Sequence, residues 1–190
     1  MQAPDQLSEW MRRYQQGDGE VLADLYREVA PGMMNYLVRF TRDRALAEDL
    51  LQEVFLRIHR VRHTYRPENP VKPWLYAIAR YVAIDNLRKR GRRREVAYED
   101  ALMKATAPDG MARREISREM EEVDRAMDEL PAGQREAFVL TKVVGLSVQE
   151  AAAVLGISEG AVKVRVHRAL GAIRFLLEQD ESKKEKEDAS

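Results

Sequence analysis

The sequence predicts an all-α protein: two small helical domains joined by a flexible linker, with a helix-turn-helix in the second. Apolar residues recur three and four positions apart, most clearly over residues 46–58, and this spacing is typical of amphipathic helices. Val, Ile and Thr form no alternating runs, so strands are not expected. A basic block over residues 55–94 precedes an acidic block over 95–122. This arrangement indicates a module that binds polyanions and a separate linker.

The composition excludes several classes of protein. The chain has 190 residues, 32 Lys and Arg against 32 Asp and Glu, and no Cys. Without Cys there is no disulfide framework, thiol nucleophile or Cys-based zinc site. The start of the chain lacks the basic and apolar regions of a signal peptide, and no apolar run reaches the roughly 18 residues of a membrane helix. The sequence therefore predicts a cytoplasmic protein without membrane insertion, bound metal or cofactor.

Breaks in the helical pattern divide the chain into four parts. The first domain is expected over residues 5–94, with helix breaks at Pro31-Gly32 and at Gly91, and with Asp43 as the N-cap of a long helix. A linker is expected over 95–111, because Pro108-Asp-Gly is a turn signal. The second domain covers 112–178, and the charged residues 179–190 are expected to be a disordered tail.

The helix-turn-helix is the clearest motif in the chain. Ser147 and Glu150 have the spacing of a capping box, and Gly156 stands where a tight turn needs a positive φ. Ser158 is placed to cap the second helix. Basic side chains lie on that helix at Lys163, Arg165, His167 and Arg168. Such a helix can lie in a DNA major groove. The alternative is an ordinary helical hairpin with a solvated basic face.

Two patterns suggest catalysis or metal binding, and neither has the context that it needs. Residues 156–160 match G-x-S-x-G, but a nucleophile elbow follows a strand and this stretch follows a helix. His59 and His63 lie one helical turn apart, but they are flanked by arginines that disfavour a cation. The sequence therefore predicts a protein that is not an enzyme.

Three blocks, in this order and spacing, resemble the extracytoplasmic-function (ECF) sigma factors of bacterial RNA polymerase. They are AEDLLQEVFLR over residues 47–57, WLYAIAR over 74–80, and LPAGQREAF over 130–138, the last followed by the helix-turn-helix. The resemblance covers about residues 7–178. It implies a promoter-specificity subunit that binds core polymerase through the β′ and β subunits, binds promoter DNA, and has an anti-sigma factor as a further partner.

The resemblance implies that one polar patch meets the coiled-coil helices of the β′ subunit. The residues that carry it are Asp49, Gln52, Glu53 and Arg57. Asp49, Gln52 and Glu53 fall within about one helical turn, and Arg57 follows Glu53 by four positions. From the residues alone, a solvated face with one Glu–Arg pair is the simpler interpretation, and the family resemblance is what favours docking.

A second set of residues combines aromatic and cationic side chains in the loop over 63–73 and the helix after it. Unpaired bases are captured on stacking surfaces beside a cationic track, and the resemblance implies that this set reads the −10 element as a single strand. The set is His63, Tyr65, Arg66, Lys72, Trp74, Tyr76, Arg80, Asn86 and Arg88. For Trp74 and Tyr76 the alternative is core packing.

A third set lies in the second domain, where the resemblance implies that duplex DNA of the −35 element is read. The set is Arg135, Ser158, Lys163, Val164, Arg165, His167 and Arg168. Which of these cations read bases and which contact phosphates stays open. Two other functions also stay open: a sigma mimic that binds an anti-sigma factor and not DNA, and a stand-alone helix-turn-helix regulator, usually dimeric. The basic surfaces argue against the first, and the docking patch argues against the second.

Overall fold

The computed structural model describes residues 6–97 and 118–188, and every regular element within these ranges is a helix. The prediction of an all-α fold is therefore confirmed. The chain divides into two compact units, Met1–Thr106 and Ala107–Ser190, which are described separately below. Most of the predicted linker lies outside the described residues. Among those residues, no helix is both long and apolar enough to cross a membrane.

Four helices and one short turn form the first unit. They are α1 (Gln6–Gln15), α2 (Val21–Thr41), α3 (Arg44–Val61), a 3₁₀ turn (Arg62–Thr64) and α4 (Val71–Ala97). Helix α2 packs against α1, α3 and α4. Met11, Leu25, Leu50 and Leu75, one from each helix, are all buried. These apolar faces meet in a common core, and burial of such side chains is the main source of stability in a domain of this size.

The junction between α2 and α3 shows how the sequence sets a helix boundary. Arg42 closes α2 in the left-handed conformation, with a φ of 58°, and its N–H donates to Val38 O at 2.7 Å. Asp43 then begins α3, because its Oδ1 accepts from the N–H of Leu46 at 3.0 Å. This bond satisfies one of the free donors of a helix start. The predicted N-cap at Asp43 is confirmed.

Two predicted helix breaks in this unit are wrong. Helix α2 continues through Pro31 and Gly32, and α4 continues through Gly91 to Ala97, into the first residues of the predicted linker. The tertiary structure explains why glycine occurs at position 32. A Cβ built there would lie only 3.0 Å from the hydroxyl oxygen of Tyr76, so Gly32 permits close approach of α2 and α4 and does not end a helix.

The second unit contains the helix-turn-helix. Its elements are α5 (Arg118–Asp128), α6 (Ala132–Phe138), a π-helical turn (Val139–Val143), α7 (Val148–Leu155) and α8 (Glu159–Asp188). Helix α8 packs against α5, α6 and α7. Its buried stripe contains Val162, Ala169 and Ile173. The last two pack beside Met127 and Leu130.

The turn between α7 and α8 has the local chemistry that the sequence predicts. Ser147 and Glu150 form a complete capping box at the start of α7. Gly156 ends α7 with a φ of +68°, and Ser158 Oγ accepts from the N–H of Ala161 at 3.2 Å.

The prediction of disorder from residue 179 differs from the structure, in which α8 continues to Asp188. Glu and Lys dominate that stretch, and both are good helix formers.

Candidate nucleic-acid interface

One face of α8 is open to solvent along its first turns. Lys163, Val164, His167 and Arg168 are all exposed, whereas Val162 lies in the core. Positions separated by one, four and five lie together on one side of a helix. The structure therefore brings four of the predicted −35 residues onto a single face, in which three basic or imidazole side chains surround Val164, itself 48% exposed.

Arg165 differs from its neighbours on α8 because it packs inside the second unit. It is half-buried, and a Cβ built at Gly133 would lie 3.2 Å from its Nη1. The guanidinium therefore lies directly against the first turn of α6, where Gly133 allows its close approach. In this arrangement Arg165 fixes α8 against α6 and does not belong to the open face.

Arg135 is also predicted to contact DNA, and the structure corrects that prediction. The residue is only 8% exposed, and its Nη1 lies 3.7 Å from Oδ1 of Asp128 at the end of α5. A guanidinium with so little exposed surface does not form an open phosphate contact. The sequence could not show this, because the charge is visible in the sequence and the burial of the side chain is not.

Ser158 has a structural role that accounts for its hydroxyl. Its Oγ accepts the N–H of Ala161, while the residue itself is exposed beside the first turn of α8. The next residue, Glu159, places a carboxylate where the partial positive charge of the helix dipole favours it. The start of α8 is thus capped from within the chain.

In the first unit, two of the predicted stacking aromatics are buried. Tyr65 is 2% exposed, its hydroxyl donates to Asn69 O at 2.7 Å, and its ring centroid lies 5.5 Å from that of Trp74. Tyr76 packs edge-on against Tyr36 at 5.4 Å, and burial raises its pKa to about 12. These tyrosines support the loop and the core, and their rings are not open to a base. The alternative of core packing therefore holds for Tyr76.

The other residues of the predicted −10 set are more accessible. His63, Arg66, Lys72 and Arg88 are exposed, and Trp74, Arg80 and Asn86 are half-buried. Asn86 Oδ1 is buried and accepts no hydrogen bond from the part of the chain that the structure describes. The loop and the adjacent face of α4 thus present cations around one partly open indole.

Tyr81 is a candidate that the sequence analysis missed. It is 55% exposed, and the guanidinium carbon of Arg57 lies 4.9 Å from the centre of its ring. Tyr81 follows Trp74 by seven positions and precedes Arg88 by seven, so all three share one face of α4. That spacing is readable from the sequence, but the choice between Tyr76 and Tyr81 as the exposed ring depends on how α4 packs.

The polar patch of α3 is exposed as predicted at Asp49, Gln52 and Glu53. Leu56, one turn further along, is 53% exposed. Beside the patch, Phe55 packs against Tyr26 of α2 with ring centroids 4.5 Å apart. A groove of about 780 Å³ continues from Tyr26 along residues 19–31. An apolar centre with charged residues at its edge is typical of a protein–protein interface.

Comparison with known proteins accounts for both units. The family described as Sigma-70 region 2 matches residues 25–93, and the family described as Sigma-70, region 4 matches residues 120–173. RNA polymerase sigma factor CarQ of Myxococcus xanthus is 38% identical over 170 residues, which cover 88% of this chain and 95% of CarQ. The chain belongs to the ECF sigma factors of bacterial RNA polymerase.

Further similarities to known sigma factors agree with the assignment of this chain to the ECF family. ECF RNA polymerase sigma factor SigF of Caulobacter vibrioides is 42% identical over 129 residues, 66% of this chain and 68% of SigF. The structure of CnrH in complex with the cytosolic domain of CnrY has a TM-score of 0.68 at 25% identity, covering 91% of this chain and 97% of that one. The sigma factor RpoE of Bartonella quintana, in complex with the anti-sigma factor NepR, has a TM-score of 0.67 at 26% identity and covers 82% and 97%.

The predicted function is thereby confirmed. As a sigma factor of the ECF type, the protein directs core RNA polymerase to specific promoters and initiates transcription. Its relatives are regulators of transcription.

Proposed function

We propose that this sigma factor divides its function among three surfaces. The exposed patch of α3 docks on core polymerase, the loop before α4 and one face of α4 capture the melted −10 strand, and the open face of α8 reads the −35 duplex. The observation that carries the proposal is the open face of α8, where four side chains of the helix-turn-helix point away from a fully buried stripe. An α-helix of this kind fits the width of a major groove.

At the −35 element, the open face of α8 makes the contacts. Its side chains are Lys163, Val164, His167 and Arg168. A Lys or Arg that pairs with guanine discriminates against the wrong base by about 1–3 kcal/mol, and an apolar side chain such as Val164 suits a thymine methyl group. Arg165 and Arg135 hold this helix in place through their packing, and Ser158 caps it. This division revises the residue set expected from the sequence while keeping the same helix.

At the −10 element, Trp74 and Tyr81 supply stacking surfaces, since they are the accessible aromatics on this side of α4. Stacking on an aromatic ring contributes about 1–3 kcal/mol per base and tolerates any base. A cationic track surrounds them, formed by His63, Arg66, Lys72, Arg80 and Arg88. Asn86 lies on the same helix and is half-buried, with its Oδ1 buried.

On core polymerase, the partner of α3 is the coiled coil of the β′ subunit, with the β subunit as the partner of the second unit. Asp49, Gln52 and Glu53 provide a charged edge, and Leu56 and Tyr26 provide apolar surface beside it. Charge complementarity at such an edge selects the partner and speeds association, while the apolar surface contributes most of the affinity.

We further propose that the sigma factor has an anti-sigma factor as a partner and that it has no enzymatic activity of its own. The structures of CnrH with CnrY and of RpoE with NepR support the first statement, since both chains share this fold. Because its task is performed on the chromosome with core polymerase, the protein acts in the cytoplasm.

The experiment that tests the division of function compares two double variants. Asp49→Lys/Glu53→Lys should abolish core binding and leave binding of the −35 duplex unchanged. Lys163→Ala/Arg168→Ala should remove promoter-specific transcription and leave core binding unchanged. Matched controls are Glu28→Lys, an exposed acid on α2, and Lys142→Ala, an exposed cation of the π-helical turn outside α8. Unchanged core affinity in the first double variant would remove the docking assignment.

A further inference from the structure

The end of α1 is tied to the start of the loop that precedes α4. The side-chain amide of Gln15, the last residue of α1, donates to the backbone carbonyl of Tyr65 at 2.7 Å and to that of His63 at 3.2 Å. One side chain thus holds two carbonyls that lie 50 and 48 positions further along the chain. The neighbouring Gln16 is exposed, and its amide oxygen lies 3.5 Å from Arg12 of α1.

The residue before Gln15 strengthens the same junction. The hydroxyl of Tyr14 lies 2.6 Å from Nδ1 of His59 in the last turns of α3, and the guanidinium carbon of Arg62 lies 5.6 Å from the centre of the Tyr14 ring. Tyr14 is buried, and this burial raises its pKa, so the phenol keeps its proton near neutral pH. The end of α1 is therefore a fixed point against which the loop is held.

Beyond Gln15, the loop is closed by its own hydrogen bonds. The Tyr65 hydroxyl donates to Asn69 O at 2.7 Å, and the N–H of Asn69 donates to Arg66 O at 2.9 Å. The Tyr65 ring then contacts Trp74 at the start of α4. Tyr65 is thus bound through its carbonyl, its ring and its hydroxyl, while Arg66 and Lys72 remain exposed.

Such a loop keeps its shape before DNA arrives. A loop that becomes ordered only on binding loses conformational entropy at that moment, and the loss weakens the complex. A loop already held by Gln15 and Tyr65 avoids most of this loss. One of the two carbonyls belongs to His63, and the other belongs to Tyr65, the residue directly before Arg66. The Gln15 amide therefore fixes the backbone next to the exposed side chains of His63 and Arg66.

We infer that Gln15 is a positioning residue for capture of the unpaired −10 strand: it holds the loop over residues 63–70 in the conformation that the strand binds, without touching DNA itself. This inference rests on the proposed assignment of the −10 element to this loop and to α4. It adds α1, which none of the three proposed surfaces includes, to the machinery of promoter melting.

The test measures capture of single-stranded DNA by the sigma factor bound to core polymerase. The probe is a fork-junction DNA that carries the unpaired −10 strand of a promoter mapped with the wild-type protein. Gln15→Ala and Gln15→Glu should each weaken capture about tenfold, because the first removes the donor and the second sets a carboxylate against two carbonyls. Gln15→Lys retains a donor of sufficient reach and should recover most of the affinity. Gln16→Ala is the matched control and should behave as wild type.

Three companion measurements separate positioning from a general structural role. Core affinity and binding of a duplex −35 probe should stay within about twofold of wild type in all Gln15 variants. In transcription kinetics, the loss should appear in the isomerisation to the open complex and not in initial promoter binding. A parallel loss of core affinity, −35 binding and −10 capture in both the Ala and the Glu variant would overturn the inference, as would unchanged −10 capture.

Two outcomes distinguish a failure of the inference about Gln15 from a failure of the proposed function. If wild-type holoenzyme does not select the unpaired −10 strand over an unrelated strand, the assignment of the loop fails. If wild type selects that strand and the Gln15 variants select it equally well, the assignment stands and the role of Gln15 fails.

Discussion

The guanidinium carbon of Arg57 on α3 lies 4.9 Å from the centre of the Tyr81 ring on α4. Arg57 belongs by sequence to the patch proposed to dock on polymerase, whereas Tyr81 lies on the face of α4 proposed to hold the −10 strand. The contact therefore joins α3 and α4, the two helices to which these functions are assigned. A cation over an aromatic face is attractive by about 0.5–1 kcal/mol at an exposed site.

This contact predicts that Arg57 serves promoter opening more than polymerase docking. Arg57→Ala should lower open-complex formation about threefold, because Tyr81 loses the cation that orients its ring. Core affinity should stay within about twofold of wild type. Fluorescence-based core binding and a kinetic assay of open-complex formation measure the two effects. A loss of core affinity as large as that of Glu53→Lys would return Arg57 to the docking patch.

A second prediction concerns the stability of the first unit at high pH. Burial raises the pKa of Tyr76 to about 12, above its ordinary value near 10. Because the folded state holds the proton more tightly, the contribution of Tyr76 is fully present below about pH 10 and is lost as the pH rises through 12. The loss approaches roughly 3 kcal/mol. Urea unfolding of wild type and Tyr76→Phe between pH 8 and 12 measures it.

The Phe variant is the control for the other tyrosines, because both proteins contain them. The difference in unfolding free energy between Tyr76→Phe and wild type should be small at pH 8 and should grow in favour of the Phe variant above pH 10. A constant difference across this range would show that the Tyr76 phenol is not held in its neutral form by burial.

A third prediction concerns Gly32, which the sequence suggests as a helix break and which α2 contains in its interior. Gly32→Ala should destabilise the first unit by about 1 kcal/mol, because the new Cβ would lie 3.0 Å from the Tyr76 hydroxyl oxygen. In a Tyr76→Phe background the same change should stabilise by roughly 0.5–1 kcal/mol, since alanine favours a helix over glycine. A thermodynamic cycle of the four proteins tests whether the sign reverses, and additive effects would contradict the close contact.

A fourth prediction separates packing from DNA contact in the second unit. Arg135→Ala should destabilise this unit by about 2 kcal/mol, because a guanidinium that is 8% exposed and lies beside Asp128 of α5 is lost. Lys163→Ala should change stability by less than about 0.5 kcal/mol and should lower the salt dependence of −35 binding by about one charge. Thermal unfolding and binding isotherms at several salt concentrations distinguish the two. Wild-type stability in Arg135→Ala would restore it as a surface contact.

Features determined by a few neighbouring residues could be predicted from the sequence. The caps at Asp43 and Ser147 and the turn at Gly156 each depend on one side chain or one backbone conformation within four positions, and the structure confirms them. The periodic apolar residues of α3 likewise fall in the core. These signals sufficed to predict an all-α fold and the helix-turn-helix.

Features determined by contacts between distant segments could not be predicted. Tyr65, Tyr76 and Tyr81 are the same residue type within one region, and only the packing of α4 decides which ring is exposed. The charge of Arg135 does not reveal that its side chain is buried. Gln15 has no local signal at all, because its two acceptors are backbone carbonyls about fifty positions away. The sequence therefore showed which residues are charged or aromatic, and the packing of the helices decided which of them are exposed.

The central claim, that this chain confers promoter selection on core polymerase, is tested most directly on genomic DNA. Sheared genomic DNA is transcribed by core polymerase with and without the protein, and the new 5′ ends are sequenced. The account predicts new starts preceded by one shared pair of −35 and −10 sequences, and their loss with Lys163→Ala/Arg168→Ala. Demonstrated core binding with no new starts, or starts without a shared sequence upstream, would contradict it.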